Sequence, residues 1–343
     1  MRRKLIINKT NGLILMLLFL SYHSWGKSYS KSDHYDGEHF FNPDGPGLKG
    51  LLEVITWKWN ATPAKWPETI PNKNYKLPLL EQGKGGIVTF INHATFLIQL
   101  PNLTLLTDPI FSQRAGPFQR FGPVKRVREP GVALDILPPI DVVVISHNHY
   151  DHMDMESLKT IDAKFKPLFL VPLGEEKRLK EAGLQNVQEM DWWAEQKVKE
   201  ARITFTPVQH WSARGIFDKN ESLWGGYFID LPPIKIYFAG DTGYTPFFLQ
   251  TKSRLGAPDI ALLPIGAFEP RWFMKDHHMD PKEAVMAHID LGSDLSFGMH
   301  FGTFPLTYEA HDQPLKDLSA ARKFFKLEDD KFRVLDFGQS YSF

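Results

Sequence analysis

The chain has 343 residues, 43% apolar and 13% aromatic, enough to bury the core of one large domain or two small ones. Lys plus Arg and Asp plus Glu balance at 40 each, so no global field draws nucleic acid or anionic membranes toward it, which argues against a nuclease. There is no cysteine, which excludes disulfides, thiolate nucleophiles and Cys-ligated zinc; any metal must be held by carboxylates and the 13 histidines.

In chain order, residues 1–26 come first. Arg2, Arg3, Lys4 and Lys9 precede the apolar run 13–20, followed by polar residues and the small Ser24 and Gly26. That is the layout of a secretory signal, and the run is far short of the ~20 residues of a membrane helix. Export to the periplasm or beyond is expected; an uncleaved membrane anchor is the alternative. Residues 27–85 are rich in Gly, Pro, Lys and aromatics, with Trp57, Trp59 and Trp66 close together. They read as an N-terminal extension packed on a main domain at 86–343, with an amphipathic helix over 48–59.

From residue 86 the pattern becomes that of strands: 86–91, 95–100, 103–106, 141–146, 168–171, 203–206, 234–238, 260–264 and 296–299. Helical patterns fall at 155–165, 175–182, 281–291 and 315–325. Pro281 after Asp280 is a good helix start. Strands first, then strands alternating with helices, predict an α/β fold with two sheets between layers of helices. Trp192 and Trp193 read as core.

Residues 146–154, S-H-N-H-Y-D-H-M-D, follow a buried apolar strand. His147 and His149 alternate along extended chain, so their rings point the same way. Asp151 and His152 follow in the turn and can address a second centre, as a metal pair ~3.5–4 Å apart requires. Asn148 and Tyr150 read as spacers and Asp154 as a helix cap. Other strand ends carry His210, the Gly-flanked Asp241, and His300 between glycines that permit close backbone approach. One strand-end histidine is more often structural than a ligand; four such sites in one chain argue for a metal cluster.

The run His147-Asn-His149-Tyr-Asp151-His152 with His210, Asp241 and His300 resembles the HxHxDH signature and downstream ligands of the metallo-β-lactamase fold. The stretches 106–112, 145–152, 208–211, 238–244 and 264–275 are similar to the N-acylphosphatidylethanolamine-hydrolysing phospholipase D family, and the likeness runs from about residue 87 to the C-terminus. The resemblance implies a four-layer αββα sandwich and two zinc ions (Zn2+) per chain. One zinc would be held by His147, His149 and His210, the other by Asp151, His152 and His300, with Asp241 bridging. It implies hydrolysis of a phospholipid to N-acylethanolamine and phosphatidic acid by in-line attack of hydroxide on phosphorus, water on zinc having a pKa of ~7. Asp151 and His278 are the catalytic candidates, His278 meeting the phosphate or protonating the leaving alkoxide. Asp108 is a candidate for orienting an imidazole, with the capping of a turn as its alternative. His93 matches a family histidine, but Asn92 stands where the family has glycine, which leaves its role open. The family also suggests a homodimer.

Residues 111–128 combine five cations with Phe111, Phe118 and Phe121. They read as a rim contact for a lipid headgroup, with peripheral membrane contact, or else as a solvated loop. No nucleic-acid partner is expected. Two other functions stay open: a lactonase or other metallo-hydrolase of this fold acting on a non-lipid substrate, and a binding protein without turnover.

Overall fold

The computed structural model describes residues 29–45, 47, 49–59, 62–80, 85–117, 124–215 and 217–343. The expected signal segment, Phe118 and Phe121 lie outside the described residues. After α1 (Leu51–Trp59), the first half of the chain runs β1 (Ile87–Asn92), β2 (Thr95–Leu100), β3 (Leu103–Thr107), β4 (Arg114–Ala115), β5 (Val124–Lys125), β6 (Val142–Val144), α2 (Met155–Phe165), β7 (Leu168–Pro172), α3 (Glu176–Glu181) and β8 (Val187–Met190). The second half runs β9 (Glu195–Val198), β10 (Ala201–Thr206), β11 (Gly226–Leu231), β12 (Ile234–Phe238), α4 (Phe247–Leu255), β13 (Ile260–Pro264), α5 (Arg271–Met274), α6 (Pro281–Leu291), β14 (Leu295–Met299), α7 (Gln313–Phe325), β15 (Phe332–Arg333) and β16 (Ser340–Ser342).

Two seven-stranded sheets result. The first has the order β16-β1-β2-β3-β6-β7-β8 and the second β15-β14-β13-β12-β11-β10-β9, while β4 and β5 form a separate ribbon. Each sheet is antiparallel on one side and parallel on the other: β3, β6, β7 and β8 are mutually parallel, as are β12, β13, β14 and β15. Parallel neighbours need crossovers; α2, α3, α4, α6 and α7 lie in those that follow β6, β7, β12, β13 and β14, while β3 reaches β6 through a stretch with no α-helix among its described residues.

The apolar run at β6 shows why the strands read as they do. Val142 and Val144 face the core between the sheets, whereas Val143 and Ile145 face α2 and α3 with Leu158, Ile161 and Leu179. A strand buried on both faces carries no polar alternation. β7 repeats this, with Leu170 inward and Phe169 and Val171 outward. Opposite them Ile203, Phe205, Tyr227, Ile236 and Phe238 come from the second sheet, and its far side is covered by α4, α6 and α7 through Phe248, Val285, Leu291 and Leu318. The architecture is the expected αββα sandwich. Removing one interior ring, as in Phe205→Ala, costs about 3–5 kcal/mol.

Residues 29–45 pack onto this body. Tyr35 and Phe40 join the inter-sheet cluster, and the His34 ring lies 4.5 Å from Trp192 between Asp33 and Asp191. Trp192 is buried as expected, its indole N–H donating to the Trp224 carbonyl. Asn42 donates to the His210 carbonyl, Lys49 pairs with Asp276, and Trp57 stacks on Phe273, so this segment braces loops at one end of the sandwich.

Two details differ from the sequence reading. Asp154 occupies the position before α2 but caps no backbone N–H; its carboxylate accepts from the Ser157 hydroxyl and the Ser112 N–H instead. In the 111–128 segment Arg126 is buried and donates to the Ser112 and Ile110 carbonyls, Arg128 lies over the Phe337 ring, and Phe111 packs against the outer core. Phe111 and Arg128 are half-buried, whereas Arg126 is fully engaged and offers no headgroup contact; a buried guanidinium with carbonyl partners is a clamp on backbone.

Candidate metal centre

The C-terminal ends of β3, β6, β10, β12 and β14 meet at one edge of the sandwich, where α/β folds gather their chemistry. β3 delivers Asp108, β6 delivers His147 and His149, and the turn after it delivers Asp151 and His152. β10 delivers His210, β12 Asp241 and β14 His300. The β1–β2 turn adds His93 and the loop before α6 adds His278. Close approach depends on Gly240: at φ +62° a Cβ there would stand 2.5 Å from the Ser146 Cβ. His93, Asp108 and His300 also hold positive φ, at 48°, 31° and 61°. Such conformations cost about 1–3 kcal/mol each for non-glycine residues and gather at functional sites.

The donor atoms fall into two sets. His147 Nε2 lies 2.8 Å from His149 Nδ1, which lies 3.2 Å from His210 Nε2. The Ser146 hydroxyl donates to Asp108, so it accepts from His147 Nδ1, and His210 Nδ1 donates to the His277 carbonyl. Those bonds assign the Nε2 lone pairs of His147 and His210 to the space shared with His149. Three nitrogens of a tetrahedral zinc site with ~2.0–2.1 Å bonds stand ~3.3 Å apart, close to what is seen.

In the second set His152 Nε2 and His300 Nε2 each lie 3.1 Å from Asp241 Oδ2, and 3.5 and 3.4 Å from Asp151 Oδ2. His152 Nδ1 donates to Asp108 over 2.7 Å, which leaves its Nε2 lone pair facing the carboxylates. Asp241 Oδ2 is also 4.0 Å from His147 Nε2 and 3.9 Å from His210 Nε2, so one carboxylate oxygen stands between the two sets. Among the described residues His152 Nε2, His300 Nε2 and Asp241 Oδ1 are buried without hydrogen-bond partners. Buried polar atoms left unpaired are costly, and a cation among them resolves the cost. The donor set fits metal.

The electrostatics divide likewise. Burial, reinforced by neighbouring imidazoles, holds His147 and His210 well below the usual histidine range, the nearby Asp241 notwithstanding, and His149 falls to about 4. Neutral imidazoles are the ligand form. Burial would also lower His152 and His300, but Asp241 and Asp151 outweigh it, raising His152 well above its ordinary value and His300 to about 9. The two carboxylates, although burial alone would raise them, are held well below their usual range by these histidines. The second set thus draws in positive charge, which a divalent ion supplies without protons.

The structure therefore brings together all seven expected ligands, with Asp108 beneath them as an orienting carboxylate. His278 is there too, its Nδ1 3.9 Å from Asp241 Oδ2 and without a hydrogen-bond partner among the described residues; burial lowers it to about 3, so it is neutral. The spacers do more than expected. Asn148 points away from the site and donates to Glu175 and Ser222, and Tyr150 packs under the Arg214 guanidinium with its hydroxyl on the Arg214 carbonyl. Sequence reading missed Ser146 and Trp211, whose ring meets His149 at 4.4 Å. Only their adjacency to His147 and His210 in sequence marked them.

The sequence profile of the Beta-lactamase superfamily domain matches residues 104–301, and the chain belongs to that superfamily. It is 37% identical over 331 residues to N-acyl-phosphatidylethanolamine-hydrolyzing phospholipase D 1 of Caenorhabditis elegans, a match spanning 89% of this chain and 92% of that protein. It is also 37% identical over 223 residues to the mitochondrial N-acyl-phosphatidylethanolamine-hydrolyzing phospholipase D of Saccharomyces cerevisiae, spanning 63% of this chain and 47% of that one. Within the superfamily the chain thus belongs to the N-acylphosphatidylethanolamine-hydrolysing phospholipase D family. Its fold is shared with the metallo hydrolase Igni18 of Ignicoccus hospitalis, at a TM-score of 0.57 and 23% identity, covering 75% of this chain and 98% of that one. Fold, donor cluster and relatives together make it a metal-dependent hydrolase.

Proposed function

We propose that the protein is a dinuclear zinc phosphodiesterase of the phospholipase D type that hydrolyses N-acylphosphatidylethanolamine or a related phospholipid to N-acylethanolamine and phosphatidic acid. The observation that carries this reading is the position of Asp241 Oδ2 between two complete donor sets. The likeness to two phospholipases of that name supports the substrate. His147, His149 and His210 would hold one zinc; Asp151, His152 and His300 would hold the second, with Asp241 shared. Zinc supplies Lewis acidity toward a phosphoryl oxygen and lowers the pKa of water to ~7.

The chain's own residues do the rest. Asp108 keeps the His152 ring in one tautomer. His278, neutral and without a partner at Nδ1, faces the space above Asp241 and donates a hydrogen bond to a phosphoryl or leaving oxygen. Lys219 stands 5.5 Å from the centroid of Trp211, with no acidic partner among the described residues, a cation for the substrate's negative charge. We further propose that the chain is exported by the segment 1–26, contacts membranes peripherally and dimerises; the support is the signal-like pattern and the family.

The test is metal content together with product analysis on the purified protein. About two zinc per chain and release of phosphatidic acid from N-acylphosphatidylethanolamine are expected. Other phospholipids, a lactone and a cephalosporin complete the panel. A metal-loaded protein that releases no phosphatidic acid, or an Asp241→Asn variant with full activity, overturns the reading.

A further inference from the structure

We infer that His93 is a positioning residue for the second metal: it holds the Asp151 carboxylate and the His300 backbone at once, so that without it the Asp151–His152–His300 set loses its ion while the three-histidine set keeps its own. This rests on the assignment of seven ligands made above.

Two separate contacts carry it. The His93 Nε2–H donates to Asp151 Oδ2 over 2.9 Å, and the His93 carbonyl accepts from the His300 N–H over 2.8 Å. Asp151 sits in a turn and is the most exposed of the two carboxylates, at 14% against 2% for Asp241. No backbone ladder fixes its rotamer, so a fixed donor must. His300 leaves β14 in a left-handed conformation, and the residue that accepts from its N–H sets the angle at which its ring enters the site.

His93 is itself built in. It is buried, its own N–H donates to the Thr303 hydroxyl, its ring lies 4.0 Å from that of His300, and Phe304 meets it edge-on at 5.3 Å. Its left-handed φ lets the carbonyl and the imidazole both face the centre. Asn92, in place of the family's glycine, leaves this arrangement intact: it is buried at an irregular step in the β1–β2 pairing and donates to the Ile110 carbonyl. Among the described residues no hydrogen bond or ring contact joins His93 to His147, His149 or His210, which is why the effect belongs to one ion only.

The test titrates the full chain, stripped with a chelator, with Zn2+ and in parallel with Co2+, for wild type, His93→Ala and His93→Gln. Glutamine can place an amide N–H near the position of Nε2. Expected are two sites in wild type, one unchanged and one 10–100-fold weaker in His93→Ala, and an intermediate second site in His93→Gln. If His93→Ala fails to fold, His93→Gln carries the comparison. Two sites of wild-type affinity in both variants overturn the inference, as does equal weakening of both sites, which would mark a general structural role. A wild type that takes up a single ion overturns the seven-ligand assignment itself, and the inference with it.

Discussion

Asp108→Asn separates holding an imidazole from holding the fold. Asp108 is buried and accepts from the Ser146 N–H on Oδ1 and from the Ser146 hydroxyl and His152 Nδ1 on Oδ2. The amide offers one oxygen and one NH2 in the same outline, so one of these donors must face a donor. With the oxygen in the Oδ2 place, His152 keeps its tautomer but trades a charged acceptor for a neutral one, and Ser146 N–H is orphaned. With the NH2 there, His152 must move its proton to Nε2, the atom needed for metal. A buried donor left unpaired costs about 1–3 kcal/mol, so the metal-free variant should lose that much in denaturant unfolding. Loss of an orienting carboxylate behind a ligand histidine lowers metal affinity about 10–100-fold, or roughly 1.4–2.7 kcal/mol. Zinc affinity measured by competition with a chromophoric chelator, beside unfolding of the metal-free protein, reads the two effects apart. A variant that loses stability but binds both zinc ions as tightly as wild type would refute the orienting role.

Gly240→Ala should abolish metal uptake at both sets, because the Cβ meets the Ser146 Cβ at 2.5 Å in a left-handed backbone and must part β12 from β6; zinc stoichiometry of the soluble variant checks this. His288, buried beside Ser296, is lowered to about 4 by burial and then by Lys331, against the pull of Asp294. The unfolded chain therefore binds the extra proton, and stability, full above about 6.5, falls as the pH drops toward 4, by at most about 1.4 kcal/mol per pH unit; His288→Asn should flatten that slope in unfolding curves. His34 runs the other way. Burial opposes its charge, but the hydrogen bonds to Asp191 and Asp33 outweigh it and raise its pKa, so its contribution is present below about 6.5 and is lost as the pH rises through the raised value. In His34→Gln that loss on the alkaline side should vanish, as followed by thermal unfolding across pH.

How much of this was legible in the sequence depended on whether the signal was local. The strands 95–100, 234–238 and 260–264 and the helices 155–165 and 281–291 match residue for residue, because each is a run with one period and a clear boundary. The helix at 281–291 also carries its own start, Asp280 and Glu283 forming a reciprocal cap. Strands β8 and β9 escaped notice: Val187-Gln-Glu-Met carries one apolar and one polar residue on each face, Glu195-Gln-Lys-Val is mostly polar, and both lie at sheet edges and owe their form to their neighbours. α4 was hidden for the same reason, burying only Phe248 and Thr251.

The site follows the same rule one level up. All seven ligands stood at strand ends flanked by glycine or a turn, so a residue type in a recognisable position was enough to name them. His93 lacked that support, since its value lies in reaching Asp151 and His300, 58 and 207 positions away, and no local pattern encodes a distance across two sheets. Two of the five cations of 111–128, Arg126 and Arg128, erred in the opposite direction. Composition put a charged loop on the rim, but Arg126 finds carbonyls on Ser112 and Ile110 and turns inward, as a guanidinium does when backbone acceptors lie within reach of a buried stem. Charge in a sequence says what a side chain needs; only the folded chain says whether solvent, substrate or backbone meets that need.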